Sequence, residues 1–126
     1  INPPSDSFWN AVWIQQPLIT SGWDARPVPD LIFSIAFSRE SSWNETKWDD
    51  DRFEMLLREA RSQTEFARRK EIYGEMQLML HEDGGHATLG FRNYVDAARS
   101  EVKGIVPHGS GPLGFYQFHR TAWIDG

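Results

Sequence analysis

The sequence contains no cysteine, which removes disulfides, thiolate catalysis and cysteine-ligated zinc from consideration. That absence suits a cytosolic protein as well as a periplasmic one, so compartment has to come from elsewhere. Its apolar runs stop far short of the roughly 20 residues that span a bilayer. There is no excess of base: 13 Lys and Arg stand against 18 Asp and Glu, a net charge of −5. Most basic residues sit beside an acid, which argues against a nucleic-acid partner, because phosphate contact needs clustered, uncompensated cations. No internal repeat or low-complexity tract occurs. The chain opens at Ile1 without a Met, a charged n-region or an apolar h-region, so no secretory signal is visible. A piece of a longer protein is the expectation.

Signatures of catalysis are missing too. No GxSxG or comparable held nucleophile occurs, and Gly109-Ser110-Gly111 is not followed by the Gly-Lys-Ser/Thr of a phosphate loop. His81 and His86 flank Glu82-Asp83-Gly84-Gly85, and imidazoles beside carboxylates are eligible zinc or nickel ligands. Their spacing is wrong for one helix face, where ligands fall at i and i+4. Exposed helix-end residues are the better reading, and His81 suits the negative end of a helix dipole. Metal-assisted hydrolysis through this pair ranks last among the functions considered. No catalytic residue, metal or cofactor is expected.

What is present is a chain of 126 residues, 40% hydrophobic and 13% aromatic, sized for one domain. A chain of this length can bury roughly two-thirds of its unfolded surface. The segment from Ser21 to Trp48 is the most informative. It holds Trp23, Trp43 and Trp48 and two arginines without a regular period. Flat aromatic faces beside groups that hydrogen-bond, such as Arg26, Asp30 and Asn44, are what a small-molecule site needs.

Local signals divide the remainder. Asn2-Pro3-Pro4 reads as extended, and Ser5 or Asp6 can cap a short helix over Ser7–Gln15 that Pro17 ends. Leu18–Trp23 reads as a strand delivering Trp23 to a loop. Pro27 and Pro29 deny helix to Arg26 and Val28. Leu31–Ser38 fits a buried helix or a strand. Acidic Asp49-Asp50-Asp51 opens a helix whose face is Phe53, Leu56, Leu57 and Ala60. Ser62 and Glu65 have capping-box spacing. The second helix sets Phe66, Arg69, Tyr73, Met76 and Leu80 on one side, widened by Ile72 and Met79, and Gly84-Gly85 stops it. These two helices form a hairpin with a short turn. Ala87–Tyr94 and Val102–Val106 read as strands, Pro107–Gly114 as a loop and Phe115–Ile124 as extended.

Taken in order, GW, ARPVPD, FS, SSWNETKW, DRFEMLLREAR, RRKEIYGEMQLMLHEDGG, FRNYVDA and VKGIVPH make the chain from about Asp6 to Phe118 resemble the closing portion of the periplasmic dipeptide/oligopeptide-binding proteins, the family 5 receptors of ABC importers. The resemblance favours helix for Leu31–Ser38. It implies an α/β (mixed α+β) fold, the C-terminal part of a type II periplasmic-binding-protein fold, with the helical hairpin packed on a small mixed sheet. Residues 1–23 would end the second lobe and include a crossover strand, 24–118 would be the C-terminal part of the first lobe, and 119–126 a tail. It implies a non-enzymatic, periplasmic or extracytoplasmic substrate-binding component for peptides or related small polar or anionic solutes. Its partners would be the ligand, an ABC permease and N-terminal lobe segments that this chain does not contain.

The resemblance also assigns site residues. Trp23, in the GW pair, would wall the ligand pocket with a rigid apolar face. Peptide-binding members carry an aspartate three residues later that pairs with the ligand's α-ammonium, and this chain has Arg26 there. A guanidinium suits a carboxylate or phosphate instead. Either Arg26 faces an anionic or polar solute, or it pairs on the surface with Asp24 or Asp30, and a one-residue slip of the loop would put Asp24 in the aspartate's place. Asp30 is a ligand candidate and equally a helix cap. Trp43 and Asn44 are loop contacts, Asn offering donor and acceptor, whereas Trp48 reads as packing. The alternative to a receptor is an interaction module that self-associates through an exposed apolar face.

Overall fold

The computed structural model describes residues 4–126 and is rich in helix, with one two-stranded sheet. The extended reading of Asn2 and Pro3 falls outside the described residues. The chain divides into two compact units: one takes the chain up to Gly22 together with Val28–Ala87, the other Trp23–Pro27 with Thr88–Gly126.

The first unit is built on the hairpin that the sequence announces. Helix α3, Asp51–Ser62, is preceded by Asp50, whose extended backbone lets its carboxylate accept from the Phe53 N–H at 2.8 Å, a cap that stabilises by about 1 kcal/mol. Phe53, Leu56, Leu57 and Ala60 are all buried, at 0–3% exposure. Helix α4, Phe66–Asp83, meets them with Ile72 and Met76, and Tyr73, Met79 and Leu80 pack alongside. Phe66 does not join this face and stays 72% exposed. It lies in the first turn of α4, ahead of the helix's buried residues Ile72 and Met76. The capping box does not form: the Ser62 hydroxyl donates to Glu59 O, and the Glu65 N–H is taken by Gln63 Oε1 at 2.9 Å. The helix ends at Gly84, and the left-handed residue is Gly85, φ +66°, a conformation cheap only for glycine.

The hairpin's apolar face is closed by residues 29–37 rather than by a sheet. Helix α2, Pro29–Ile32, continues into a single π turn, Phe33–Phe37, where the Ser38 N–H reaches Phe33 O at 3.0 Å. Phe33 and Ala36 are buried, and the Phe33 ring meets the Phe53 ring edge-on at 5.6 Å. Pro at the first helical position fits the start of α2.

Before this, residues 5–11 form a 3-10 turn, Ser5–Ser7, and a short helix α1, Phe8–Ala11. The expected helix to Gln15 is cut back, and Ile14 lies at φ +58°, which a β-branched residue adopts only outside a regular helix. Leu18–Trp23 is not a strand: among the described residues it has no pairing partner, and Leu18 is 90% exposed.

The second unit has less regular structure. Strand β1, Val102–Lys103, pairs antiparallel with β2, Trp123–Ile124, in the register Val102 to Ile124 and Lys103 to Trp123. A turn at Pro112–Tyr116, with Leu113 at φ +50°, Gly114 at +63°, Phe115 at +58° and Tyr116 at +62° rather than in a right-handed helix, and a 3-10 turn, Phe118–Arg120, occupy the stretch expected to be loop and extended chain. Ala87–Tyr94 forms no ladder among the described residues, and Leu89 and Phe91 stand in solvent. Ala87–Tyr94 was expected to be a strand, but a strand is made by pairing.

Candidate functional site

The six residues singled out from the sequence divide between the two units. Trp23, Asp24 and Arg26 lie in the second, on the extended Trp23–Pro27 segment; Asp30, Trp43 and Asn44 lie in the first.

In the second unit Trp23 is half-buried. Asp24 is exposed, and its Oδ1 accepts the Tyr94 hydroxyl at 3.3 Å with Arg92 Nη2 at 3.8 Å. Arg26 does not pair with either aspartate. Its Nη1 folds back on its own chain, donating to Asp24 O at 2.9 Å and Ala25 O at 3.4 Å. Two backbone carbonyls leave the guanidinium charge without an ionic partner among the described residues, so it retains the capacity to take a carboxylate or phosphate.

In the first unit Asp30 is committed to the fold. Arg61 Nε donates to its Oδ1 at 2.8 Å and Arg61 Nη2 to its Oδ2 at 3.3 Å, while Arg61 also donates to the Ser34 hydroxyl. This carboxylate raises the Arg61 pKa further above its ordinary value, chiefly through the hydrogen bond. The pair fastens α2 to the last turn of α3. Asp30 also sits inside the first turn of α2 rather than capping it, with Val28 at the cap.

Residues 38–50 form a loop held from within. Glu54, only 7% exposed, accepts the Arg39 N–H at 2.8 Å and the Ser38 hydroxyl at 3.3 Å. Asn44 is equally buried and donates to Trp48 O at 2.8 Å, with Phe37 O and Ser38 O at 3.4 Å. Its Oδ1 accepts the Thr46 hydroxyl at 3.2 Å, which in turn accepts the Trp48 N–H at 3.2 Å. This lattice holds Lys47 at φ +54°, a left-handed conformation that costs a non-glycine residue roughly 1–2 kcal/mol. Beside it lies an open cleft of about 300 Å³, lined among others by Asn44, Lys47, Trp48 and Ile14. Arg39 at its rim bridges Asp49 at 2.7 Å and Asp51 at 2.6 Å. Trp48 packs on Phe53 with ring centroids 5.1 Å apart.

Trp43 belongs to an aromatic row. Its ring is 6.0 Å from Trp13, which is 5.3 Å from Trp9. Trp13 Nε1 and the Ser21 hydroxyl both donate to Glu45 Oε1. The sequence assigns no role to Glu45 or Glu54 and offers Trp13 only as part of the apolar face of the short N-terminal helix; nothing in a linear spacing links Trp13 to Glu45, 32 positions away. Of the histidines, His86 packs edge-on against Phe37 at 5.8 Å. Among the described residues no group of three or more His, Cys, Asp or Glu could hold a metal ion, and no helix is long and apolar enough to cross a membrane.

In sequence the chain is similar to bacterial peptide-binding proteins. It is 30% identical over 97 residues to the dipeptide-binding protein of Escherichia coli (strain K12), covering 75% of this chain and 18% of that protein. The corresponding figures are 33% over 83 residues, 66% and 15% for di/tripeptide-binding protein 4 of Pseudomonas aeruginosa (strain UCBPP-PA14). For dipeptide-binding protein DppE of Bacillus subtilis (strain 168) they are 25% over 95 residues, 75% and 16%. The chain therefore matches less than a fifth of the length of these relatives. No family model and no solved structure matches it.

Proposed function

We propose that this chain is the C-terminal portion of a family 5 solute-binding receptor, the substrate-binding component of an ABC importer for peptides or related small polar or anionic solutes. The observation that carries the reading is the similarity to three peptide-binding proteins over 83–97 residues. In this reading the chain contributes to a type II periplasmic-binding fold: residues 1–23 end the second lobe and cross over, 24–118 belong to the first lobe, and 119–126 form a tail. The receptor works outside the cytoplasm, is not an enzyme, and hands its ligand to a membrane permease. Capture proceeds by hinge closure, which buries the solute between lobes.

Trp23 supplies an apolar wall, and Arg26 next to it favours a carboxylate or phosphate on the solute, moving specificity away from an ammonium at that point. Asp24, on the same segment, is a further contact; in the first unit Trp43 and Asn44 are separate candidate contacts, and Asp30 acts through Arg61 to hold α2 on α3. One wall leaves a ligand wet, so affinity in the isolated chain is weak. Calorimetric titration with short peptides and small anionic solutes tests this. Weak heats from these classes agree with it, and tight binding by the chain alone contradicts it.

A further inference from the structure

A cleft of about 320 Å³ lies wholly within the second unit. Val106 and Pro107 supply apolar lining, and His108, Gln117, Arg120 and Thr121 carry polar groups. Gly114 joins them from a turn in which four successive residues, Leu113, Gly114, Phe115 and Tyr116, lie at φ between +50° and +63°. Such backbone costs each non-glycine residue about 1–2 kcal/mol and persists only where its surroundings hold it. Three contacts hold it here. Asp96 Oδ2 accepts the Leu113 N–H at 2.9 Å, the Phe115 ring stacks on the His108 ring at 5.3 Å, and Gly114 comes so close to Val106 O that a Cβ would sit 3.1 Å from it. The turn therefore fixes His108 and one side of the cleft. His108 Nδ1 accepts the Ser110 N–H at 3.1 Å, so the neutral ring carries its proton on Nε2, a donor. Arg120 is held at one nitrogen: Nη1 donates to Gln117 Oε1 at 3.0 Å, and no Asp or Glu forms an ion pair with it among the described residues.

We propose that this cleft binds a small organic carboxylate. The guanidinium of Arg120 keeps most of its N–H donors for an acceptor, and its planar fork matches a carboxylate. Val106 and Pro107 give the apolar body of the acid a surface to cover. A cation is disfavoured by Arg120, and no Asp or Glu lines the cleft to offset that charge. An inorganic anion leaves the apolar lining wet, and a neutral solute forgoes the charged hydrogen bond. The volume lies at the lower end of the range for ligand pockets, which limits the solute to a short chain. The site shares no residue with Trp23–Pro27 and does not depend on the receptor reading.

The test follows the His108 ring and Arg120 Nε–H signals of the whole chain by NMR at fixed pH as sodium isobutyrate is added. Isobutyramide serves as the neutral isostere and sodium phosphate as the inorganic anion. Saturable shifts of both signals with isobutyrate are expected, with clearly weaker binding of either control. Arg120→Gln should weaken isobutyrate binding, read at His108, by about tenfold or more, as removal of a charged hydrogen-bonding partner does. Val106→Asp, at an exposed lining position, sets a like charge against the solute and should weaken binding as well. Lys70→Gln removes the same charge from the exposed face of α4 and should leave affinity unchanged. The proposal is overturned by no saturable shift with isobutyrate, by equal affinity for isobutyramide or phosphate, by unchanged affinity in both cleft variants, or by an equal loss in Lys70→Gln.

Discussion

Asn44 Nδ2 donates to the backbone carbonyl of Trp48 at 2.8 Å from a side chain that is almost fully buried. That bond, with the weaker reach to Phe37 O and Ser38 O, closes the loop presenting Trp43 and Lys47. Asn44→Ala leaves buried carbonyls unsatisfied, at about 1–3 kcal/mol. Chemical denaturation should show that loss, and acrylamide quenching of the tryptophans should rise as the loop opens. A variant with unchanged stability would mean that the loop is held by other means.

Core and surface on the hairpin separate cleanly. Leu56 is fully buried and Phe66 is 72% exposed. Leu56→Ala should destabilise by about 2–5 kcal/mol, whereas Phe66→Ser should stay within about 0.5 kcal/mol of the parent. Denaturant midpoints of the two variants check this. Equal losses would contradict the packing described.

Asp50 caps α3 through the Phe53 N–H. Asp50→Ala should cost about 1 kcal/mol, and Asp50→Ser should recover most of it, since serine caps equally well. The comparison of the two melting curves separates a cap from a simple charge effect.

Burial raises the Tyr73 phenol above its ordinary value, with the Asp30 charge adding to it and Arg69 and Arg61 opposing. The sign follows from linkage: the folded state holds this proton more tightly than the unfolded chain. The resulting stability is fully present below the unfolded phenol pKa and is lost as pH rises through the folded one. Absorbance at alkaline pH should show one late-titrating phenol, which Tyr73→Phe removes. An unchanged titration curve in that variant would refute the assignment.

Much of the first unit was legible in the sequence because its signals are local. The acidic run before Phe53 and the spacing of Phe53, Leu56, Leu57 and Ala60 suffice to set α3 and its buried face, and Gly84-Gly85 marks the end of α4. Pro29 starts α2, but the π turn at Phe33–Phe37 could not be read, since a short apolar run does not fix the kind of turn it makes. Strands were expected at Leu18–Trp23 and Ala87–Tyr94 from local residue types, yet a strand requires a partner that local residue types do not name. At the site, the residue types were readable and their partners were not. Asp30 finds Arg61 across 31 positions, Trp13 finds Glu45 across 32, and Asp24 finds Tyr94 across 70. Arg26 illustrates the same limit, because its guanidinium settles on two carbonyls of its own segment instead of on either aspartate offered by spacing.

The receptor reading is tested most directly by an NMR titration of the chain with short peptides and small carboxylate- or phosphate-bearing solutes, observing the Trp23 indole and Arg26 guanidinium signals. The account predicts weak, saturable shifts at both, reduced by Trp23→Ala. Solutes of these classes that leave both signals unmoved would contradict it.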